Sequence, residues 1–222
     1  MIININDLDF DDDLDSEITF EPKSKNCIAI FNDSEDKYIG TGFIIDETGK
    51  FLSAGHNFKE TKIKYKAYYQ QNEYEIETIY FEYDEMGRDL FIGRLTGFKE
   101  EIDGTFCLES TNELELNHRL YVGGFNSVKY SGTPEPIQIK QHTLFKHDIS
   151  TKLTFLEERK DISSIRHKID CRLQCENIKL LDLTNPEKYY GLSGGPVYNK
   201  NNIYGVCIAD MFIPMEYIKK FL

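Results

Sequence analysis

The chain of 222 residues has few cysteines, few positive charges and no long apolar segment. Its five cysteines are an odd number and are too sparse for a disulfide framework, so we expect reduced thiols and a cytoplasmic location. No apolar run approaches the ~20 residues that cross a bilayer. The first residues also lack the basic and apolar regions of a secretory signal. We therefore expect no membrane partner.

Negative charge outweighs positive charge: 38 aspartates and glutamates against 26 lysines and arginines give a formal net charge of -12. Most of this excess lies in residues 1–24, which form an acidic N-terminal tail. An overall negative field repels phosphate, and no basic cluster interrupts it, so nucleic acid is not an expected partner. The length and the apolar content of 40% predict a globular body with a sizeable core.

One motif raises the question of a metal. Cys171 and Cys175, with His167 nearby, have the spacing of half a zinc site, but no second cysteine pair completes it. We therefore expect no metal and no other cofactor.

Short segments with a two-residue period, separated by turns, predict an all-β domain over residues 25–222. In the first lobe, about residues 25–100, the predicted strands are residues 27–32, 38–46, 51–53, 63–69, 74–83 and 90–95. A connecting stretch at 97–117 leads to a second lobe, about residues 115–222, with predicted strands at 120–125, 137–145, 153–156, 169–173, 178–183, 196–199 and 203–209. Apolar residues with helical spacing follow Pro214 and predict one short C-terminal helix over 215–222.

A glycine-rich segment at 191–197 surrounds a single serine, Ser193, just before a predicted strand. Glycine allows the backbone to turn tightly and to approach a substrate, and Pro196 can open a strand. In such a turn the Ser193 hydroxyl would face a cleft, and the N–H groups of Gly191 and Ser193 would converge on a developing oxyanion. The alternative is an ordinary glycine-rich hairpin turn.

Two further residues have the chemistry of proton transfer. His56 follows a predicted strand and two small residues, and an imidazole in that position suits a general base. Asp89 begins an apolar strand and would orient an imidazole from behind. The alternatives are a structural histidine and an aspartate that caps a strand in a solvated turn.

Taken together, these segments resemble the chymotrypsin/trypsin-like serine peptidases, and most closely the bacterial branch that includes the HtrA-type protease domains. The three segments occur in the order His, Asp, Ser within two barrel-like halves, and the resemblance covers residues 25 to 222. The matching positions are residues 40–43, Ser53, Ala54, Gly55 and His56, then Asp89 and Leu90, then residues 191–197 followed by Tyr204, Gly205 and Val206.

The resemblance implies two six-stranded antiparallel barrels and a serine endopeptidase that forms an acyl-enzyme. Ser193 would be the nucleophile, His56 the general base and Asp89 the carboxylate that orients the imidazole. The backbone N–H groups of Gly191 and Ser193 would form the oxyanion hole. The implied partner is a protein or peptide substrate.

Several positions depart from the family pattern. Leu192 stands where digestive members have an aspartate that pairs with a newly cut N-terminus, so we expect that form of activation to be absent. Gly55 stands where alanine is more usual, a change from one small residue to another. We also expect no PDZ module after Leu222.

Two carboxylates suggest a substrate preference. By family analogy the pocket for the side chain before the cut is formed by the approach to Ser193 and by the strand at 206–210. Glu187 and Asp210 would give it negative charge and favour a basic side chain; alternatively both are solvated loop carboxylates. The other expected contributors are Tyr190, Cys207, Ile208 and Ala209.

Two other functions remain open on the sequence. The same fold serves as a binding or regulatory module with weak catalysis, and the same three residues serve esterases and transacylases. A protease in a cytoplasm must also be restrained. We therefore expect narrow specificity or an activating or regulatory protein partner that orders the oxyanion hole.

Overall fold

A computed structural model of the chain describes residues 26–60, 63–83, 88–102, 107–109, 119–127, 136–152, 190–208 and 211–222. The predicted acidic tail and the residues of the half zinc site lie outside these ranges. Strands dominate the described residues, which confirms the predicted all-β class. None of the helices described is long and apolar enough to span a membrane.

The first lobe is a closed antiparallel barrel of six strands in the order β1-β2-β3-β6-β5-β4. Its interior is filled by alternate residues of each strand, among them Ile28, Ile30, Phe51 and Phe91, as the two-residue period requires. The barrel confirms the prediction for this lobe. Its strands are β1 Cys27–Asn32, β2 Lys37–Ile44, β3 Lys50–Ala54, β4 Tyr65–Tyr69, β5 Asn72–Tyr83 and β6 Asp89–Leu95, with a 3-10 helix, Gly55–Phe58, directly after β3.

The second lobe contains a seven-stranded sheet. Six strands follow the order β13-β12-β11-β8-β10-β9, and β7 pairs in parallel with β12. Closure of this sheet into a second barrel remains a prediction, because the strands predicted between 153 and 183 lie outside the described residues. The elements are β7 Cys107–Leu108, β8 Arg119–Asn126, β9 Pro136–Ile139, β10 His142–Lys152, β11 Pro196–Asn199, β12 Asn202–Ile208, β13 Met211–Pro214 and helix α1 Met215–Ile218.

Four details of the second lobe differ from the prediction. The single strand predicted at 137–145 is the hairpin β9–β10, which turns at Lys140 with a φ of 52°. The connecting stretch contains β7, and β13 precedes the C-terminal helix where no strand was predicted. The α-helix itself is four residues long instead of eight.

The two lobes share one apolar core. Leu52 and Phe31 of the barrel belong to the same buried cluster as Phe125, Ile139 and Val206 of the second sheet. At the surface, the β9–β10 turn reaches the β1–β2 turn of the barrel. There the Lys140 ammonium lies 3.2 Å from Asp33 and 3.0 Å from Asp36. The residues of the candidate site lie along this junction of the two lobes.

Candidate active site

His56 and Asp89 form a tight pair at the end of the barrel. The imidazole Nδ1 lies 2.8 Å from Asp89 Oδ2, and the His56 backbone N–H donates to Asp89 Oδ1 at 2.7 Å. The pair is possible because β3 and β6 are neighbours in the barrel, with Ala54 opposite Leu90. An ionised carboxylate only accepts hydrogen bonds, so this contact favours, for a neutral imidazole, the tautomer that has its proton on Nδ1 and its lone pair on Nε2.

The environment of the pair differs between its two ends. The Asp89 side chain is 12% exposed, whereas the His56 side chain is 32% exposed. Phe58, in the same 3-10 helix as His56, stacks on Phe91 of β6 with ring centroids 3.6 Å apart. The helix is therefore anchored to the barrel, and the imidazole is held between a buried carboxylate and the cleft.

The segment from Gly191 to Gly195, called here the Ser193 loop, packs directly on the barrel. Gly191 and Gly194 have φ values of 90° and 91°, in the left-handed region that favours glycine. A Cβ on Gly194 would lie 1.9 Å from the Thr41 carbonyl oxygen. Glycine is therefore required there by both backbone conformation and space, which explains this part of the motif.

Hydrogen bonds from the barrel bind the Ser193 backbone to Thr41 and to Asn57, the residue that follows His56. The Ser193 carbonyl accepts from the Thr41 backbone N–H and from Asn57 Nδ2, each at 3.0 Å. Asn57 directly follows His56 and also donates to Ser53 Oγ at 3.2 Å. The Ser193 hydroxyl itself has no hydrogen bond to His56 or to another residue within the described ranges. The Ser193 loop is thus bound to the residue next to His56, and the Ser193 hydroxyl is unengaged within the described ranges.

The carbonyl groups of the Ser193 loop are turned toward the protein. The Leu192 carbonyl accepts from Gly195 N–H at 2.9 Å, and the Gly195 carbonyl accepts from Cys207 N–H at the same distance. The N–H groups of Gly191 and Ser193, the two predicted oxyanion donors, have no acceptor among the residues that the structure describes. An anion bound in the cleft would find both donors available.

Leu192 is fully buried at the back of the loop. It belongs to an apolar cluster with Val122, Val197, Tyr204 and Phe212. An apolar side chain in this place makes no ion pair. The loop is held instead by apolar burial and by backbone hydrogen bonds.

The residues predicted to line a specificity pocket are only partly described. Glu187, Ala209 and Asp210 lie outside the described residues. Tyr190, at the entrance to the Ser193 loop, is 61% exposed. Cys207 and Ile208 are buried in the core, so these two would contribute to a pocket through their backbone.

Three side chains at the site were not among the predicted residues. Tyr38 and Thr41 donate their hydroxyls to the Gly191 carbonyl, and Asn57 binds the Ser193 carbonyl. Tyr, Thr and Asn occur in many strands and turns, and only the folded arrangement brings them to the serine loop. For metals, the described ranges contain no group of three or more potential ligands.

Comparisons with known proteins bear on the fold. No protein-family model matches the chain, and no curated protein matches its sequence. Among solved structures, the chain is similar to the crystal structure of Deg5, with a TM-score of 0.56 and 14% sequence identity over 89% of this chain and 87% of Deg5. This likeness supports a trypsin-like fold. At this identity the comparison shows the fold alone, and the chemistry has to be argued from the site.

Proposed function

We propose that the chain is a serine endopeptidase with Ser193 as nucleophile, His56 as general base and Asp89 as the carboxylate that orients the imidazole. One observation supports the proposal: Asp89 binds His56, and the residue after His56, Asn57, binds the backbone of Ser193. The trypsin-like fold is consistent with it. A solvated, merely structural histidine would not explain why Asp89 binds both the ring and the backbone of His56.

The proposed reaction has two halves. Ser193 Oγ attacks the peptide carbonyl carbon while its proton passes to His56 Nε2, and the resulting oxyanion accepts hydrogen bonds from the N–H groups of Gly191 and Ser193. The carbon–nitrogen bond then breaks as Nε2 gives its proton to the leaving amine. Water attacks the acyl-enzyme with Nε2 again taking the proton, and the acid product leaves as Ser193 recovers its hydrogen. Asp89 stays ionised throughout and stabilises the imidazolium.

The unengaged Ser193 hydroxyl fits this scheme. In enzymes without substrate, catalytic hydrogen bonds are often long and tighten only in the complex. We expect the Ser193 Oγ to His56 Nε2 hydrogen bond to form when a peptide fills the cleft.

The proposal also includes a substrate preference and a cellular location. Glu187 and Asp210 would favour a basic side chain before the cut, and the low cysteine content supports a cytoplasmic location. A peptide library gives the preference directly, and Glu187→Gln or Asp210→Asn should weaken it. Equal cleavage after basic and neutral residues by the wild type would contradict this part of the proposal while leaving the reaction class intact.

A fluorophosphonate probe tests the reaction class. It should label the wild type and the Ser34→Ala control, whose serine lies in an exposed turn, but not the Ser193→Ala variant. A folded wild type that is not labelled at neutral or alkaline pH would contradict the proposal and favour a binding module. Labelling with ester turnover, but without cleavage of any library peptide, would favour an esterase or transacylase.

A further inference from the structure

Two hydroxyl groups of the barrel converge on one carbonyl oxygen of the Ser193 loop. Tyr38 Oη donates to the Gly191 carbonyl at 2.7 Å, and Thr41 Oγ1 donates to the same oxygen at 2.6 Å. Both residues are in β2, and both hydroxyls reach the second lobe from there. A carbonyl oxygen has two lone pairs, so this pair of donors saturates it.

The two hydroxyls are themselves fixed by β8 of the second lobe. Phe125 N–H donates to Thr41 Oγ1 at 3.0 Å, and the Phe125 carbonyl lies 3.0 Å from Tyr38 Oη, where it shares the single phenol proton with the closer Gly191 carbonyl. The hydroxyls also contact each other at 3.2 Å. The Tyr38 ring packs against Phe31, with centroids 5.6 Å apart. The Thr41 hydroxyl therefore cannot turn away without losing the Phe125 N–H, and packing on Phe31 keeps the Tyr38 oxygen close to the Gly191 carbonyl.

The Gly191 carbonyl lies between the two predicted oxyanion donors along the chain. It belongs to the peptide between Gly191 and Leu192, and that peptide joins the two predicted oxyanion donors, Gly191 N–H and Ser193 N–H. Glycine has no side chain to limit the rotation of its backbone. The orientation of the Gly191 carbonyl therefore depends on the groups that bind it. The neighbouring carbonyls of Leu192 and Ser193 are bound elsewhere, which leaves the Tyr38 and Thr41 hydroxyls to set Gly191.

We propose that Tyr38 and Thr41 are positioning residues that preorganise the oxyanion hole by clamping the Gly191 carbonyl. The proposal rests on the proposed function, because an oxyanion hole has a role only in acyl transfer. Neither residue touches the reacting atoms. They act through Gly191, whose N–H must lie within hydrogen-bond distance of the oxyanion in the transition state.

The clamp should be insensitive to pH over the working range of a protease. Burial raises the pKa of Tyr38 well above its usual value. The phenol therefore keeps its proton, and its ability to donate, in neutral and mildly alkaline solution. Loss of the clamp should accordingly lower the rate without adding a new titration to the pH profile.

The test uses the full chain with Tyr38→Phe, Thr41→Val and the double variant. Tyr38→Phe keeps the ring packed on Phe31 and removes only the hydroxyl. Thr41→Ser is the conservative variant that keeps the hydroxyl. Tyr74→Phe is the control, because it removes a phenol bonded to Glu100, outside the clamp. Each variant is measured for thermal unfolding, for the rate of phosphonylation of Ser193, and for kcat and KM on a library-selected peptide, with rates expressed per folded molecule.

We expect each single variant to lower kcat and the phosphonylation rate by about 10-fold, and the double variant by about 100-fold, with KM little changed. Thr41→Ser and Tyr74→Phe should stay close to the wild type. If the wild type labels but the double variant labels equally fast, or if the loss appears in KM alone, the clamp is overturned and the proposed function stands. If the folded wild type does not label at all, the proposed function fails first.

Discussion

The Tyr217 hydroxyl donates a hydrogen bond of 2.9 Å to the Glu82 carboxylate and so joins the C-terminal helix to the barrel. Glu82 is 9% exposed and lies opposite Leu90, next to Asp89. The Tyr80 hydroxyl donates to the same carboxylate oxygen at 2.8 Å. A buried carboxylate is stable only while it is hydrogen bonded, so this small group supports the strand that carries Asp89.

Tyr217→Phe should lower the free energy of unfolding by about 1–3 kcal/mol, because it removes a hydrogen bond to a buried charge. Urea unfolding measures the change. Tyr83→Phe is the control, since Tyr83 is 45% exposed on the same strand as Glu82, and should be nearly neutral. Equal effects of the two substitutions would show that the Glu82 contact contributes nothing.

The contribution of Tyr80 should depend on pH. Burial, and then the hydrogen bond to Glu82, raise the pKa of Tyr80 from 10.0 to about 12. Because the folded pKa is the higher one, its contribution to stability is complete below pH 10 and is lost as pH rises from 10 to about 12. Tyr80→Phe should be less stable than the wild type at neutral pH, and the difference should shrink over that alkaline range. A constant difference in urea unfolding would contradict this prediction.

Asp89→Asn should lower kcat by about 10,000-fold, the loss known for this change in the chymotrypsin-type triad. An asparagine amide that donates to Nδ1 moves the imidazole proton to Nε2, which can then no longer act as a base. Kinetics on a library-selected peptide provide the measurement. Asp46→Asn is the matched control, because Asp46 accepts from Thr48 N–H in an exposed turn. A small effect of Asp89→Asn with an active wild type would remove Asp89 from the mechanism.

Gly194→Ala should be far more destabilising than Gly97→Ala, although both glycines have positive φ. A Cβ at Gly97 meets nothing within 4 Å, so only backbone strain of about 1–2 kcal/mol is expected there. At Gly194 the clash with the Thr41 carbonyl adds to that strain, and the loss should exceed about 4 kcal/mol. Denaturant unfolding measures the loss of stability in the two variants. Similar losses in both would mean that the Ser193 loop moves freely away from the barrel.

The described cysteines should differ sharply in reactivity. Burial raises the pKa of the Cys27 thiol well above its usual range, and the charge of Asp148 raises it further, so little thiolate forms. Cys107 is exposed. Iodoacetamide followed by peptide mapping should alkylate Cys107 in the native protein, and Cys27 about 100-fold more slowly, because local opening is required first. Comparable rates would show that β1 opens readily.

The strand pattern of the fold was largely predictable from local sequence. Strands 27–32 and 196–199 were predicted with their observed bounds, since alternation and flanking turn residues define them. The β9–β10 turn was missed because Lys140 adopts a positive φ without glycine, asparagine or proline to signal it. The two-residue strand β7 depends on a parallel partner almost a hundred residues away, and no local pattern encodes such a partner.

The candidate site also contains residues that the sequence predicts and residues that it does not. Ser193, His56 and Asp89 were predicted because their chemistry and their glycine-rich surroundings are visible in the sequence. Tyr38, Thr41 and Asn57 were not, because each acts across the junction of the lobes on a backbone carbonyl. Every residue has a backbone carbonyl, so the residue type does not show which carbonyl a side chain will bind. Such partners can be identified only in the folded chain.

The glycine before His56 constrains how this scaffold can be altered. A Cβ on Gly55 would lie 2.2 Å from the Glu82 carbonyl oxygen, so β5 already occupies the volume of the alanine methyl that is usual there. Consensus substitution, ordinarily a route to greater stability, would at this position force β5 away from the helix that holds His56. Residue 55 and the backbone path at Glu82 can therefore be exchanged only as a pair, and a chimera with another protein of this fold should carry both from the same parent.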